Sequence, residues 1–319
     1  MTQTPGGPPL LLLGVRRSGT TLLRVMLDRH SELAVPDESY FVPQLADRHL
    51  RRVDPDEFVD DLRRINTLAA WEVPLDKVRG RLFEGMPIGV AIATVYAVYA
   101  EEQGKQRWGD KTPMYMQNLR LLERLFPDAL FVHLIRDGRD AATSFLAMPE
   151  GLMTETWMQP HTAVDFACQW RAEVAAARRL GRRVGGQRYL EVRYEDLVAD
   201  VDSELRGICT FAGLPHEPGM ADYAGSVDVS AKPHQQSLSR PPTPGLRDWR
   251  TQMAPGDVAA FEHVAGDLLR ELGYETREQP NAQGRLRRAS YGTRVLAWRA
   301  ASFALRRSPL WRRRHPPLR

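Results

Sequence analysis

The sequence predicts a three-layer α/β fold, a central parallel sheet flanked by helices, with a helical insertion after the second strand. Three observations predict it. Apolar, strand-like runs alternate with helical patterns along most of the chain. A glycine-bearing turn joins the first strand to the first helix, and a later apolar strand ends in an arginine that precedes another helix. At 319 residues, 43% hydrophobic and 26% charged, the chain is long enough for one large α/β domain with additions.

Each element follows in order. The four leucines Leu10 to Leu13 make a buried strand over 10–14, and the helical pattern of 19–29 follows the turn. A second strand spans 32–36 and ends in Pro36-Asp37-Glu38-Ser39. From Val42 to Gln106 the pattern is mostly helical and is punctuated by Pro43, Pro55, Pro74 and Pro87, an insertion suited to cover an acceptor site. A short strand is expected at 107–109, a helix over 114–126 and a strand over 129–135. Asp137-Gly138 breaks that strand before a helix over 137–147, and a helix over 162–183, a strand over 187–193 and a helix over 256–272 complete the series. The run from Arg240 to Gly245 reads as a loop, and 278–284 as a linker that divides a domain of residues 1–280 from a tail of 281–319.

The first turn carries the chemistry. Gly14 and Gly19, with four residues between them, match the phosphate-cradling pattern G-x-x-x-x-G-K-[ST], but Thr20 stands where the lysine belongs. The loop is therefore P-loop-like without the P-loop lysine. Its backbone N–H groups and the helix N-terminus suit an anion, and Arg16, Arg17, Ser18, Thr20 and Thr21 supply the side chains. A guanidinium presents a planar fork to an oxyanion. No compelling acidic strand end nearby would hold the magnesium of an NTPase, which makes transfer without a metal the expectation. Arg136 closes the 129–135 strand, at the sheet end where α/β proteins gather ligands, and Ser144 follows eight residues later on the next helix. The competing reading pairs Arg136 with Asp137 or Asp140; Arg139 suits that structural role better.

The run Arg17-Ser18-Gly19-Thr20-Thr21-Leu22-Leu23, followed by Met26-Leu27-Asp28, resembles the 5′-phosphosulfate loop of sulfotransferases that use 3′-phosphoadenosine 5′-phosphosulfate, closest to the tyrosylprotein group. The stretch Phe131 to Asp140 with Ser144 is similar to that family's 3′-phosphate motif. The resemblance covers roughly residues 10 to 215, with weaker support to about residue 272. It implies that the loop from Ser18 to Thr21, entered by Arg16, holds the 5′-phosphosulfate and that Arg136 and Ser144 hold the 3′-phosphate. By ungapped distance from the loop it implies Glu38 as the general base, with Asp37 as the fallback. Trp108-Gly109-Asp110-Lys111-Thr112-Pro113 resembles the family's Lys-(Asp/Thr)-Pro motif, so Lys111 would share stabilisation of the leaving oxygen with Arg17. Tyr194 matches the Tyr-Glu-x-Leu element that contacts the nucleotide, and Arg247, ahead of Trp249, is a weaker match for a donor-phosphate contact. Arg16 departs from the family, which commonly has proline there.

Each of these has a plainer reading: Glu38 or Asp37 as a helix N-terminal acid, Lys111 as a solvated lysine. Two rival functions also follow from the residues. One is a P-loop kinase of small molecules; the other is a non-catalytic nucleotide-binding or membrane-associated protein.

Charge is unevenly distributed. Residues 281–319 carry eleven arginines and no acid, which leaves −7 on the rest of a chain whose total is +4. With Tyr291, Val295, Leu296, Trp298, Phe303, Leu310 and Trp311 among its arginines, the tail suits an anionic membrane surface or docking on its own acidic body. Nucleic acid is not expected, since no recognition fold accompanies the charge. The two cysteines, Cys168 and Cys209, read as reduced structural thiols. With no signal-peptide pattern at the start, the expectation is a cytoplasmic enzyme, with peripheral membrane contact through the tail, acting on a small-molecule, glycan or lipid acceptor.

Overall fold

The computed structural model describes residues 4–49, 52–148, 159–223 and 248–307. Five parallel strands, β1 (Leu10–Leu13), β2 (Leu33–Ala34), β3 (Arg107–Asp110), β4 (Leu130–Ile135) and β5 (Tyr189–Arg193), form one sheet in the order β2-β3-β1-β4-β5. The helices are α1 (Thr20–Asp28), α2 (Val42–Arg48), α3 (Pro55–Arg63), α4 (Asn66–Ala69), α5 (Leu75–Arg81), α6 (Ile88–Glu102), α7 (Leu119–Leu125), α8 (Gly138–Leu146), α9 (Ala163–Val184), α10 (Tyr194–Ala199), α11 (Val201–Ala212), α12 (Trp249–Gln252), α13 (Pro255–Glu271) and α14 (Ala282–Arg307). None of them, among the described residues, is long and apolar enough to cross a membrane.

Both faces of the sheet are covered, which explains the unbroken leucine run of β1. Leu10 and Leu12 enter one core with α1, α10 and α11, and Leu11 and Leu13 enter the other with the insertion, α8, α9 and α13. The insertion packs around an aromatic cluster in which Tyr96 of α6 stacks on Trp108 of β3 at 4.4 Å. It thereby brings the Tyr96 hydroxyl to the end of β3.

Three elements differ from the sequence expectation. β2 has two ladder residues because side chains take over beyond Ala34: Asp28 accepts from the Val35 N–H at 2.8 Å and Arg24 donates to the Val35 carbonyl at 3.0 Å. The helix expected over 114–126 is a 3₁₀ turn, Pro113–Gln117, followed by α7, with Asn118 between them. That break seats Tyr115 under the 39–42 segment, where its hydroxyl meets Ser39 at 2.6 Å and accepts from the Val42 N–H at 3.1 Å. Helices α10 and α11 lie outside the expectation, although Asp200 caps α11 by accepting from Ser203 N–H at 3.0 Å and Gly213 ends it at φ 67°.

The basic stretch after residue 281 begins as α14, which packs on α9 and α13. Asn281 caps the Gly284 N–H at 2.9 Å, and Arg288 meets Asp267 at 3.0 Å. Gly284 lies so close to α13 that a Cβ there would sit 1.9 Å from the His263 carbonyl oxygen. Cys168 and Cys209 are buried and unbridged.

Candidate functional site

In a parallel sheet all strand ends with the same polarity lie on one edge, and at the carboxyl edge each of the five strands delivers a sequence-singled residue. β1 leads into the glycine loop. Arg17 and Gly19 adopt φ 70° and 90°, turning the backbone back so that α1 starts against the loop. The first turn of α1 has neither an acidic residue nor a side-chain cap, so its N–H groups face the loop's concavity without a protein anion. A Cβ on Gly14 would strike Thr20 at 2.5 Å, and one on Gly19 would strike the Tyr194 ring at 2.4 Å. Glycine is required at both positions.

β4 delivers Arg136. Its guanidinium lies over the Tyr194 ring at 4.4 Å and donates to the Arg17 carbonyl at 3.3 Å, while its Nε is buried with no hydrogen-bond partner. The structural pairing goes to Arg139 instead, which is fully buried, holds Asp137 at 2.7 Å and Glu262 at 2.5 Å, and stacks on Trp249 at 3.8 Å. Arg17 donates through Nε to Ser144 Oγ at 3.0 Å, so loop and α8 meet at these two residues. Ser18 is 1% exposed and its Oγ has no partner. Buried donors left unsatisfied cost stability unless a ligand completes them. Ser18 Oγ and Arg136 Nε, placed around a loop that rejects side chains, suit an anionic ligand.

β2 and β3 deliver a carboxylate and an ammonium. Lys111 is 2% exposed, which excludes the solvated reading, and its Nζ contacts Glu38 and lies 3.3 Å from Thr21 Oγ1. Burial lowers the Lys111 pKa, and the Glu38 charge opposes that shift. Asp37 is turned away and pairs with Arg24 at 3.1 Å. Of the two carboxylates, Glu38 is the one facing Lys111 and the loop.

A buried polar network holds that pair. Ser39, next to Glu38, donates its N–H to Thr112 Oγ1 at 3.0 Å and its hydroxyl to Asp110 at 2.7 Å, and its carbonyl accepts from Thr67 at 2.8 Å. The Tyr96 hydroxyl also donates to Asp110, at 2.7 Å. Asp110 and Thr112 flank Lys111 as Ser39 flanks Glu38, so one set of bonds sets both side chains. Tyr40, at φ 56°, bends back to donate its hydroxyl to Glu38. Sequence reasoning missed this support; its signal was the cluster of polar residues directly beside Glu38 and Lys111 at buried strand ends.

Tyr194 closes β5, its ring between Gly19 and Arg136. Arg16 is placed differently from Arg17. Its guanidinium lies 5.0 Å over the Phe145 ring, and burial lowers its pKa against the opposing charge of Glu173. Arg247 lies outside the described residues.

Glu173, on the buried face of α9, accepts from Gln169 at 2.8 Å, and burial pushes its carboxyl up to about 7. The folded state therefore holds this proton more tightly than the unfolded chain, whose carboxyl titrates near 4.5. The contribution of this group to stability is fully present below the unfolded value and is lost as pH rises through 4.5 to about 7. The loss is on the order of 3 kcal/mol. Glu173→Gln should flatten that limb of a urea-unfolding series across pH 4 to 8; an unchanged slope would show that Glu173 titrates normally.

The chain is similar to known proteins. A family model described as "Sulfotransferase family" matches residues 8–218. The chain is 25% identical over 290 residues to protein-tyrosine sulfotransferase A of Caenorhabditis elegans, covering 87% of this chain and 70% of that one. It is 28% identical over 285 residues to the nodulation protein NoeE of Sinorhizobium fredii, covering 83% and 65%. Among solved structures, the sulfotransferase domain from the olefin synthase of Synechococcus PCC 7002 superposes with a TM-score of 0.61 at 26% identity, covering 86% of this chain and 98% of that domain.

Proposed function

The chain belongs to the sulfotransferase family, and on that premise we propose that it moves a sulfuryl group from 3′-phosphoadenosine 5′-phosphosulfate to a hydroxyl or amine of an acceptor, releasing adenosine 3′,5′-bisphosphate. One observation carries the reading: the glycine loop, Arg136 with Ser144, and the Glu38–Lys111 pair converge on one sheet edge. The loop from Ser18 to Thr21 binds the 5′-phosphosulfate, and Arg136 with Ser144 binds the 3′-phosphate, while the Tyr194 ring packs on Gly19 and Arg136. The acceptor oxygen attacks sulfur as its proton passes to Glu38. The bond between sulfur and the bridging oxygen breaks, and Lys111 and Arg17 stabilise the charge left on that oxygen. No metal enters the scheme.

A small-molecule kinase fits less well, because the position that would reach the transferred phosphoryl group is Thr20. Calorimetry without magnesium separates the two. Wild type should bind adenosine 3′,5′-bisphosphate in the micromolar range and ADP at least tenfold more weakly, and Arg136→Ala should remove the difference. Equal affinity for both nucleotides would overturn the donor assignment.

The acceptor belongs among small molecules, glycans or lipids. Two buried, unbridged thiols suit a reducing, cytoplasmic setting. We also propose peripheral contact of the 281–319 region with anionic membrane. Arg285 and Arg287 are exposed on α14, and Leu286 and Leu296 are 74% and 66% exposed. The full chain should cosediment with phosphatidylserine vesicles at physiological salt and lose this on deletion of 281–319; no sedimentation of the full chain would end the idea.

A further inference from the structure

Tyr40 is held in a pose that its neighbours impose. Before it, Ser39 has its N–H, hydroxyl and carbonyl bonded to Thr112, Asp110 and Thr67; after it, Phe41 is buried and the Val42 N–H is bonded to the Tyr115 hydroxyl. Between these anchors the backbone turns through φ 56° at Tyr40, a left-handed conformation that a non-glycine residue keeps only where its surroundings over-determine it. The turn brings the side chain back to Glu38, where the phenol donates to Oε2 while Lys111 contacts Oε1. The ring itself is 41% exposed, although Ser39 and Phe41 on either side are buried. Tyr96 and Tyr115 also belong to this polar network, but both are buried and their hydroxyls go to Asp110 and Ser39.

A hydroxyl hydrogen-bonded to the general base is what sulfuryl transfer requires of an acceptor. Here that hydroxyl belongs to the chain. Burial and the Glu38 charge push the Tyr40 phenol above its ordinary pKa, so it stays protonated and depends on Glu38 to lose its proton. Lys111, on the other carboxylate oxygen, lies 3.3 Å from Thr21 of the glycine loop, so hydroxyl, base, ammonium and loop follow one another in contact. Resting on the sulfuryl-transfer reading above, we infer that Tyr40 is a self-modification site, sulfated by its own chain when no external acceptor is bound. The phenolic oxygen attacks the donor's sulfur and forms the ester bond as its proton passes to Glu38. The bond between sulfur and the bridging oxygen breaks, and adenosine 3′,5′-bisphosphate leaves with that electron pair. No reactant beyond the donor enters the balance. The exposed side of the ring gives the new sulfate ester solvent to turn toward, away from the Glu38 carboxylate that repels it.

The test incubates the full chain with radiolabelled 3′-phosphoadenosine 5′-phosphosulfate and no acceptor, then digests it with trypsin. Label should approach one sulfuryl group per chain and lie in the peptide of residues 30–48, in which Tyr40 is the only tyrosine. Its first-order rate should not change with protein concentration, as for a reaction within one chain. Tyr40→Phe, which keeps the ring and loses the hydroxyl, should abolish the label, and Glu38→Gln should slow labelling by about 10²-fold or more. Both variants should bind the bisphosphate within twofold of wild type by calorimetry, so that a lost label does not report lost donor binding. Three results would overturn the assignment: a wild type that binds the bisphosphate yet takes up no label, label undiminished in Tyr40→Phe, or label that wild type delivers to Tyr40 of a tagged Glu38→Gln chain. Absence of bisphosphate binding in wild type would remove the underlying reading instead, and the self-modification with it.

Discussion

Glu38→Gln is expected to lower turnover by about 10²- to 10⁴-fold, the usual contribution of a positioned general base, with bisphosphate affinity nearly unchanged. Glutamine keeps the volume and a hydrogen-bonding oxygen toward Lys111 but cannot take the acceptor's proton. The choice of Glu38 over its neighbour rests on geometry: Asp37 is 3.1 Å from Arg24, whereas Glu38 meets Lys111 and receives the Tyr40 hydroxyl. Asp37→Asn should therefore cost far less. Initial rates at saturating donor and acceptor decide it, and near-wild-type turnover in Glu38→Gln would exclude this residue as the base. Because Ser39 is tied to Asp110, Thr112 and Thr67, the segment that carries Glu38 keeps its course in the variant. A loss of rate then reports on chemistry and not on folding.

Lys111→Ala should cost about 10²- to 10³-fold in kcat, as for loss of one preorganised group at a developing oxyanion. The ammonium is buried between Thr21 of the glycine loop and Glu38, in surroundings that screen it little, and in the proposed transfer it would stabilise charge on the bridging oxygen. Truncation also leaves the Glu38 carboxylate without its partner, so stability should fall as well. Lys111→Met, which fills the space without charge, separates these effects. It should restore most of the stability and none of the rate. Recovery of turnover in Lys111→Met would mean that the lysine only props the site open.

Much of the architecture was legible in the residues. Leu10 to Thr21 reads directly as strand, anion loop and helix start, and Phe131 to Ser144 as strand, arginine and helix, because apolar periodicity and glycine placement are local properties of the backbone. Even the departure at Thr20 was readable. The residues that steady the site were not. Ser39, Tyr96, Asp110 and Tyr115 come from the segment after β2, from α6, from β3 and from the turn after β3, and their bonds form only because β2 pairs with β3.

The sequence alone therefore determined the parallel α/β fold, the glycine loop with its missing lysine, and the strand-end arginine with the serine eight residues on. Tertiary structure decided which of two carboxylates faces Lys111, that Arg139 and not Arg136 carries the buried ion pairs, and that the basic stretch after residue 281 begins as a helix laid on α9 and α13. The reason is one of range. Turns and periodicities are written within a few neighbouring residues, whereas the partner of a buried charge depends on which strand ends the sheet order places side by side.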